Sequence, residues 1–320
     1  MRTKTAILAG LLTSLLVSPA LALTFQTGDI FASVNNGNVQ VWRGGALLTT
    51  LNTGQGGFTT GSTTDSAGNF YVTNFSAGSI SKFDPNGTNL GVVGSGYNAP
   101  ESIVFAQSGT AYVGQAGASA IGTFNPTNPT AISPVAIGPR GTDWIDLAAN
   151  QTTIFYTSEG TSIRQVTTAG VQLADFATGL PGSAAFALRI LPGGGVLVAD
   201  TSAVLLLDAT GTIINTYPVV GASELFSLNI NPDGTSFWTG DDGTGILYKF
   251  DILTGALLDT INTGVGGGNL FGVSVYGELT SGGGGVGGNE TPLPAALPLF
   301  ATGLGALGLL GWRRKRKQAA

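Results

Sequence analysis

The chain has 320 residues, of which 51 are glycine and only 10% are charged, with neither cysteine nor histidine. That composition favours strands joined by tight turns over helices, and it excludes disulfides, thiolate metal sites and any chemistry that needs an imidazole base. The formal charge of -5 conceals a segregation: all 18 acidic residues lie between Asp29 and Glu290 beside only 6 basic ones, a net of -12 that argues against a nucleic-acid partner.

At the start of the chain, Arg2 and Lys4 precede an apolar run from Ala6 to Val17, and Ala20-Leu21-Ala22 supplies a small-x-small cleavage site. Residues 1–22 therefore read as a secretory signal, with Ala20 and Ala22 at the cleavage site and Leu23 as the mature start. The apolar run is short for a membrane span.

From 23 to 279 a repeat governs the chain. Trp42, Phe83, Phe124, Val166, Leu207 and Phe250 fall in one column, spaced 41, 41, 42, 41 and 43 residues apart. Most are followed by a polar residue of the kind that opens a reverse turn, as in Asp84, Asn125, Asp208 and Asp251. A second column, Phe31, Tyr71, Tyr112, Phe155, Leu197 and Phe237, keeps step at 40, 41, 43, 42 and 40. Two columns running together over six copies mean an array of one supersecondary unit.

The second copy divides into four short strands, Phe58 to Thr64, Asn69 to Asn74, Ser79 to Phe83 and Leu90 to Val93, separated by Ser66-Ala67-Gly68, Ala77-Gly78 and Asp84-Pro85-Asn86-Gly87. Four strands in about 40 residues is one propeller blade. The expected fold is thus all-β, a six-bladed β-propeller of four-stranded antiparallel blades. The first copy lacks an innermost strand, and after the sixth copy one strand, Leu270 to Val275, remains. It is expected to complete blade one and close the ring of a monomer.

Past Leu279 the composition changes. Residues 280–290, with 6 glycines between Ser281 and Asn289, read as a flexible linker. Residues 291–320 hold Pro292-Leu293-Pro294, an uncharged stretch ending at Trp312, and the cluster Arg313-Arg314-Lys315-Arg316-Lys317. Leu293 to Trp312 has the length of a transmembrane helix, with Trp312 at the interface and the basic cluster on the cytoplasmic side.

Aligning the innermost strands on the turn that follows them places Thr60, Glu101, Asp143, Phe186, Phe226 and Phe271 in one column at the channel mouth, where propellers commonly bind ligands. Three aromatics are expected on one side, facing Glu101 and Asp143 on the other. Two carboxylates at an axis can hold a hard cation such as Ca²⁺, able to polarise a lactone or sugar; as two oxygen donors they make an incomplete set, and solvated residues at a strand entrance are the plainer reading. Asp241-Asp242-Gly243 invites a calcium reading too, but Asp-Gly in a hairpin is ordinary turn chemistry. Asn74-Phe75-Ser76, Asn86-Gly87-Thr88 and Asn150-Gln151-Thr152 match the glycosylation sequon and carry little weight.

Two resemblances bear on function. The Pro292-Leu293-Pro294 box, the apolar helix and the terminal basic cluster resemble the PEP-CTERM sorting signal of Gram-negative bacterial surface proteins, with Leu293 where glutamate is usual. That resemblance implies recognition and removal by an exosortase during export, often in organisms that make exopolysaccharide. The phrase Gly68-Asn69-Phe70-Tyr71-Val72 resembles the blades of NHL-type and gluconolactonase-type six-bladed propellers. Streptogramin lyase, an enzyme of that general type, is implied to use a histidine base, which this chain lacks. The combined expectation is a non-enzymatic propeller, exported as an inner-membrane-anchored precursor to the cell surface, that binds exopolysaccharide or another matrix component and needs no cofactor. The alternative is a metal-dependent lactonase or hydrolase built on Glu101 and Asp143.

Overall fold

A computed structural model describes residues 23–126, 135–136 and 141–286. Runs of Val, Ile, Phe, Tyr and Thr form strands because their branched and aromatic side chains pack on a pleated surface, and the Asp, Asn and Gly clusters between them turn the chain back. Blade one contains β1 (Ile30–Val34), β2 (Asn38–Arg43) and β3 (Ala46–Asn52). Blade two is β4 (Thr59–Thr64), β5 (Phe70–Asn74), β6 (Ser79–Phe83) and β7 (Asn89–Ser95). Blade three is β8 (Pro100–Phe105), β9 (Ala111–Gln115), β10 (Ala120–Phe124) and the short β11 (Val135–Ala136). In blade four, β12 (Ile145–Leu147), β13 (Thr153–Tyr156), β14 (Ser162–Thr167) and β15 (Ala177–Thr178) follow the same order. Blade five runs β16 (Ala185–Ile190), β17 (Val196–Asp200), β18 (Ala203–Leu207), β19 (Ile213–Pro218), and blade six β20 (Leu225–Ile230), β21 (Ser236–Asp241), β22 (Ile246–Asp251), β23 (Leu257–Asn262).

The last strand, β24 (Leu270–Val275), is hydrogen-bonded antiparallel to β1, with Phe31 opposite Ser274 and Ala32 opposite Val273, so blade one reads β24-β1-β2-β3. All six sheets have four antiparallel strands, the expected six-bladed β-propeller.

The first repeat column is buried in every blade. The second holds through five blades and slips by one in the sixth. Tyr71 lies opposite Lys82, yet the residue opposite the matching Lys249 is Trp238, and Phe237 faces Phe250 instead. Aromatic rings fill the wedges between blades: Phe31 stacks on Phe70 at 4.3 Å, Tyr71 meets Phe105 at 5.0 Å, and Tyr217 meets Phe237 at 5.0 Å. Each such ring contributes about 2 to 3 kcal/mol by leaving water.

Ladder bonds run within blades, so polar side chains, with a few backbone bonds, join one blade to the next. Val34 N donates to Thr59 Oγ1 (3.1 Å), and Thr60 Oγ1 donates to the Pro100 carbonyl (2.9 Å). Ser102 Oγ donates to the Asp143 carbonyl (2.8 Å), and Thr157 Oγ1 to that of Phe186 (2.8 Å). Leu225 N donates to the Thr201 carbonyl (3.1 Å), and Val275 N to Asn229 Oδ1 (3.2 Å). With an extended Thr or Ser repeated at these positions, the abundance of small hydroxylated residues gains a structural meaning.

Residues 280–286, expected as the start of a free linker, instead lie against the ends of three innermost strands. Gln151 Nε2 donates to the Gly282 carbonyl (2.8 Å), Gly283 bridges to Ala106, and Val286 N donates to Thr64 Oγ1 (3.4 Å). Glycine serves close approach here: a Cβ on Gly284 would sit 2.3 Å from the Phe105 carbonyl oxygen. Among the described residues no helix is long and apolar enough to cross a membrane. The signal at 1–22, the rest of the linker at 287–290, and the sorting motif and transmembrane helix at 291–320 lie outside the described residues.

Candidate functional site

The two ends of the channel differ. At the end where the innermost strands begin, called apical here, each of these strands carries one residue more than its partner, a bulge that breaks the alternation and re-aims side chains. In blade two Thr60 and Gly61 stand against a single partner between the pairs Thr59 with Asn74 and Ser62 with Val72. Glu101 is the extra residue of β8, Phe226 that of β20, and Phe271 that of β24. Phe186 and Ala187 share one partner in β16. Ahead of β12, Asp143 and Trp144 both pair with Thr157. The column expected at the mouth is therefore the bulge column of all six blades.

Not all of it faces the mouth. Thr60 is turned into the joint between blades two and three, where it also shares a hydrogen bond with Thr73 Oγ1 (2.7 Å). Phe186 and Phe226 pack together at 5.2 Å, as expected for the aromatic side. Phe271 leaves that group and lies on the exposed ring of Phe58 at 4.4 Å, with Phe75 at 6.4 Å from Phe58. A residue the column did not include, Trp144, reaches Phe226 at 5.7 Å. Blades four and six are separated by blade five, so the two rings meet on the channel side. Trp144, Phe186 and Phe226 form the floor of the mouth.

The acidic side is larger than the expected pair. Glu101 is 2% exposed and its Oε2 has no hydrogen-bond partner. Burial first, and then the charges of Asp143 and Glu159, push its carboxyl well above the usual range. Asp143 is pushed up to about 7 by burial and by Glu159. Within this like-charged pair the proton belongs on Glu101, the more deeply buried of the two. Burial also raises Glu224, helped by Asp242, Glu159 and Asp241. Glu159 thus adds to the rise of carboxylates on blades three, four and six, and it lies just past Thr157, the residue that pairs with Asp143 and Trp144 at the apical end. It stands in the β13–β14 hairpin with φ +50°, a left-handed conformation that costs a non-glycine residue about 1 kcal/mol or more. Nothing in the repeat columns marks Glu159; its place in an apical hairpin of blade four is the signal that could have found it.

Asp241-Asp242-Gly243 is a structural turn. Asp241 accepts from Glu224 N (2.9 Å) and Thr244 Oγ1 (2.6 Å), and Asp242 from Leu270 N (3.1 Å). Asp200 and Gln115 do the same work at the equivalent strand ends, accepting from Gly182 N (3.0 Å) and Asn98 N (2.8 Å). Among the described residues no three carboxylates are gathered as a metal shell requires. Glu101 and Asp143 are the pair that could contribute oxygen ligands to a cation.

The opposite, basal end is shut by polar groups. Glu278, buried beyond β24, accepts from Thr63 Oγ1 (3.3 Å), from Asn229 Nδ2 and from Arg189 Nε (3.4 Å). Arg189 also donates to the Leu188 carbonyl (2.9 Å), and Asp146 accepts from Ile190 N (2.8 Å) and Leu147 N (2.9 Å). Burial pushes Asp146 up to about 6 even though the Arg189 charge and those two N–H groups act the other way. Residues 282–286 run beneath this cluster.

No protein-family model matches the chain, and no curated protein matches it. Solved structures do: one chain of a crystal structure of a nidogen/laminin complex is similar at a TM-score of 0.65, over 78% of this chain and 98% of that one. At 13% identity the likeness is one of fold alone. The fold is shared by 1634 solved chains, so it selects no activity.

Proposed function

We propose that the chain is an exported, surface-tethered, non-enzymatic propeller that binds an extracellular component, a polysaccharide above all, at its apical mouth. The observation that carries this is the asymmetry of the channel: carboxylates and aromatic rings are gathered at one end, and a satisfied ionic plug closes the other. Aromatic faces beside carboxylates suit a saccharide, whose ring carbons lie on an apolar surface while its hydroxyls need acceptors. Export rests on the signal at 1–22. Tethering rests on the PEP-CTERM-like tail from Pro292 to Lys317, the proposed substrate of an exosortase, with the transmembrane helix holding the precursor in the inner membrane. The blades are read as NHL-like, with the ring closed through β24. A propeller of this shape is part of a nidogen/laminin complex, which makes a matrix protein the second kind of partner to try.

The test is retention of the exported protein on the host's own polysaccharide. Retention that is lost in Phe58→Ala supports the reading; no retention of the intact protein overturns it. Mass spectrometry of the exported C-terminus tests the tail: survival of residues 293–320 would remove exosortase processing. A second reading, a metal-dependent hydrolase, is favoured by the unpaired Glu101 Oε2 beside Asp143. Metal-free protein whose stability ignores both EDTA and added Ca²⁺ would eliminate it.

A further inference from the structure

The mouth contains more negative charge than a neutral saccharide would use. Glu101 and Asp143 are bulge residues of neighbouring blades at that end, Glu159 stands in the hairpin just past Thr157, the partner of Asp143, and Glu224 directly precedes β20, which starts at the same end. Two buried polar atoms on its walls lack partners: the acceptor Glu101 Oε2 and the donor Trp144 Nε1. Leaving such atoms unpaired costs about 1 to 3 kcal/mol each, and more for a charged group. A group that donates to the first and accepts at the second removes both costs at once. Round the same mouth, on blades one and two, Phe58, Phe75 and Phe271 form a lip in which Phe58 is 41% exposed. An exposed aromatic cluster beside buried carboxylates recognises a ligand with an apolar face and a positive charge.

We infer that the apical mouth selects a saccharide carrying free protonated amines, its ring on the Phe58–Phe271 lip and its ammonium group directed at Glu101, Asp143 and Glu159. This rests on the mouth-binding reading above and adds the charge of the ligand to it. Glu159, exposed and held in a strained hairpin, supplies attraction at the rim. Asp143, already desolvated beside the protonated Glu101, supplies the discrimination, because an acetylated sugar would leave its charge unanswered.

The test is calorimetric titration of the protein as exported with a glucosamine tetramer, an N-acetylglucosamine tetramer and Ca²⁺. The free-amine tetramer should bind at least about tenfold more tightly than the acetylated one, and Glu159→Gln should remove a factor of about two to five from that preference, the effect of one partly screened charge pair. Phe58→Ala should weaken both sugars, and unchanged melting of each variant would exclude misfolding. Equal binding of the two tetramers, both sensitive to Phe58→Ala, would overturn the amine and leave the mouth standing as a sugar site. Binding of neither, together with retention on the host polysaccharide that ignores Phe58→Ala, would overturn the mouth itself. Stoichiometric Ca²⁺ binding that displaces the free-amine tetramer would assign the carboxylates to a metal instead.

Discussion

Replacing Asp143 with asparagine isolates the electrostatic cost of the mouth. In the unfolded chain an aspartate titrates near 3.8, and in the folded protein Asp143 is held up to about 7. Between those values the folded state binds more protons than the unfolded one, so stability must fall as pH rises through the window. A displacement of about three units at about 1.4 kcal/mol each sets a ceiling near 4 kcal/mol, reached only above about pH 7. Asparagine copies the shape of the protonated acid and cannot ionise. The variant and the parent should therefore have the same stability near about pH 4, and the variant should be the more stable by up to about 4 kcal/mol near about pH 8. Relief of Glu101, which feels the Asp143 charge, acts in the same direction. Denaturant unfolding of both proteins across that range measures the difference. An offset that does not change with pH, or a variant that becomes relatively less stable at alkaline pH, would refute the placing of Asp143 in a dry, negatively charged mouth.

Other expectations follow from the basal end and the seams. Arg189→Met should cost about 3 to 5 kcal/mol in denaturant unfolding, because it strands Glu278 and Asp146 without a cation, and adding Glu278→Gln should recover part of the loss. Gly284→Ala should loosen the segment beneath the channel, at about 1 to 3 kcal/mol, and expose 280–286 to protease while the blades resist. Ending the chain at residue 269 removes β24, leaves β1 as an open edge, and should give aggregated protein; a soluble, cooperatively melting product would contradict the role of that strand.

The blade architecture was legible because its signals are local and repeated. A buried hydrophobic residue followed by an Asx turn recurs at Phe83-Asp84, Leu207-Asp208 and Phe250-Asp251, and these three carboxylates titrate low because the turn donates to them, chiefly through backbone N–H groups at Asp84 and Asp251 and through the Thr210 hydroxyl, ahead of backbone N–H groups, at Asp208. The slip in blade six was invisible because Phe237 and Trp238 are both aromatic, and only pairing across strands distinguishes them. The mouth was half legible. Register to the following turn brought out Glu101 and Asp143, but a bulge decides where a side chain points, and this turned Thr60 away and brought Trp144 in. Glu159 and Glu278 depend on contacts between distant parts of the chain, which spacing does not record. In the stretch after Leu279, glycine content reads as freedom of movement; Gly284 is instead the one residue small enough to lie against Phe105.

The seat taken by residues 282–286 also fixes a direction. Residues 282–286 pass under blades four, three and two in turn, on the face opposite the acidic rim. Whatever holds the protein by its later residues would carry it like a goblet on a stem, bowl outward, so that anchoring and ligand capture would not compete for the same face.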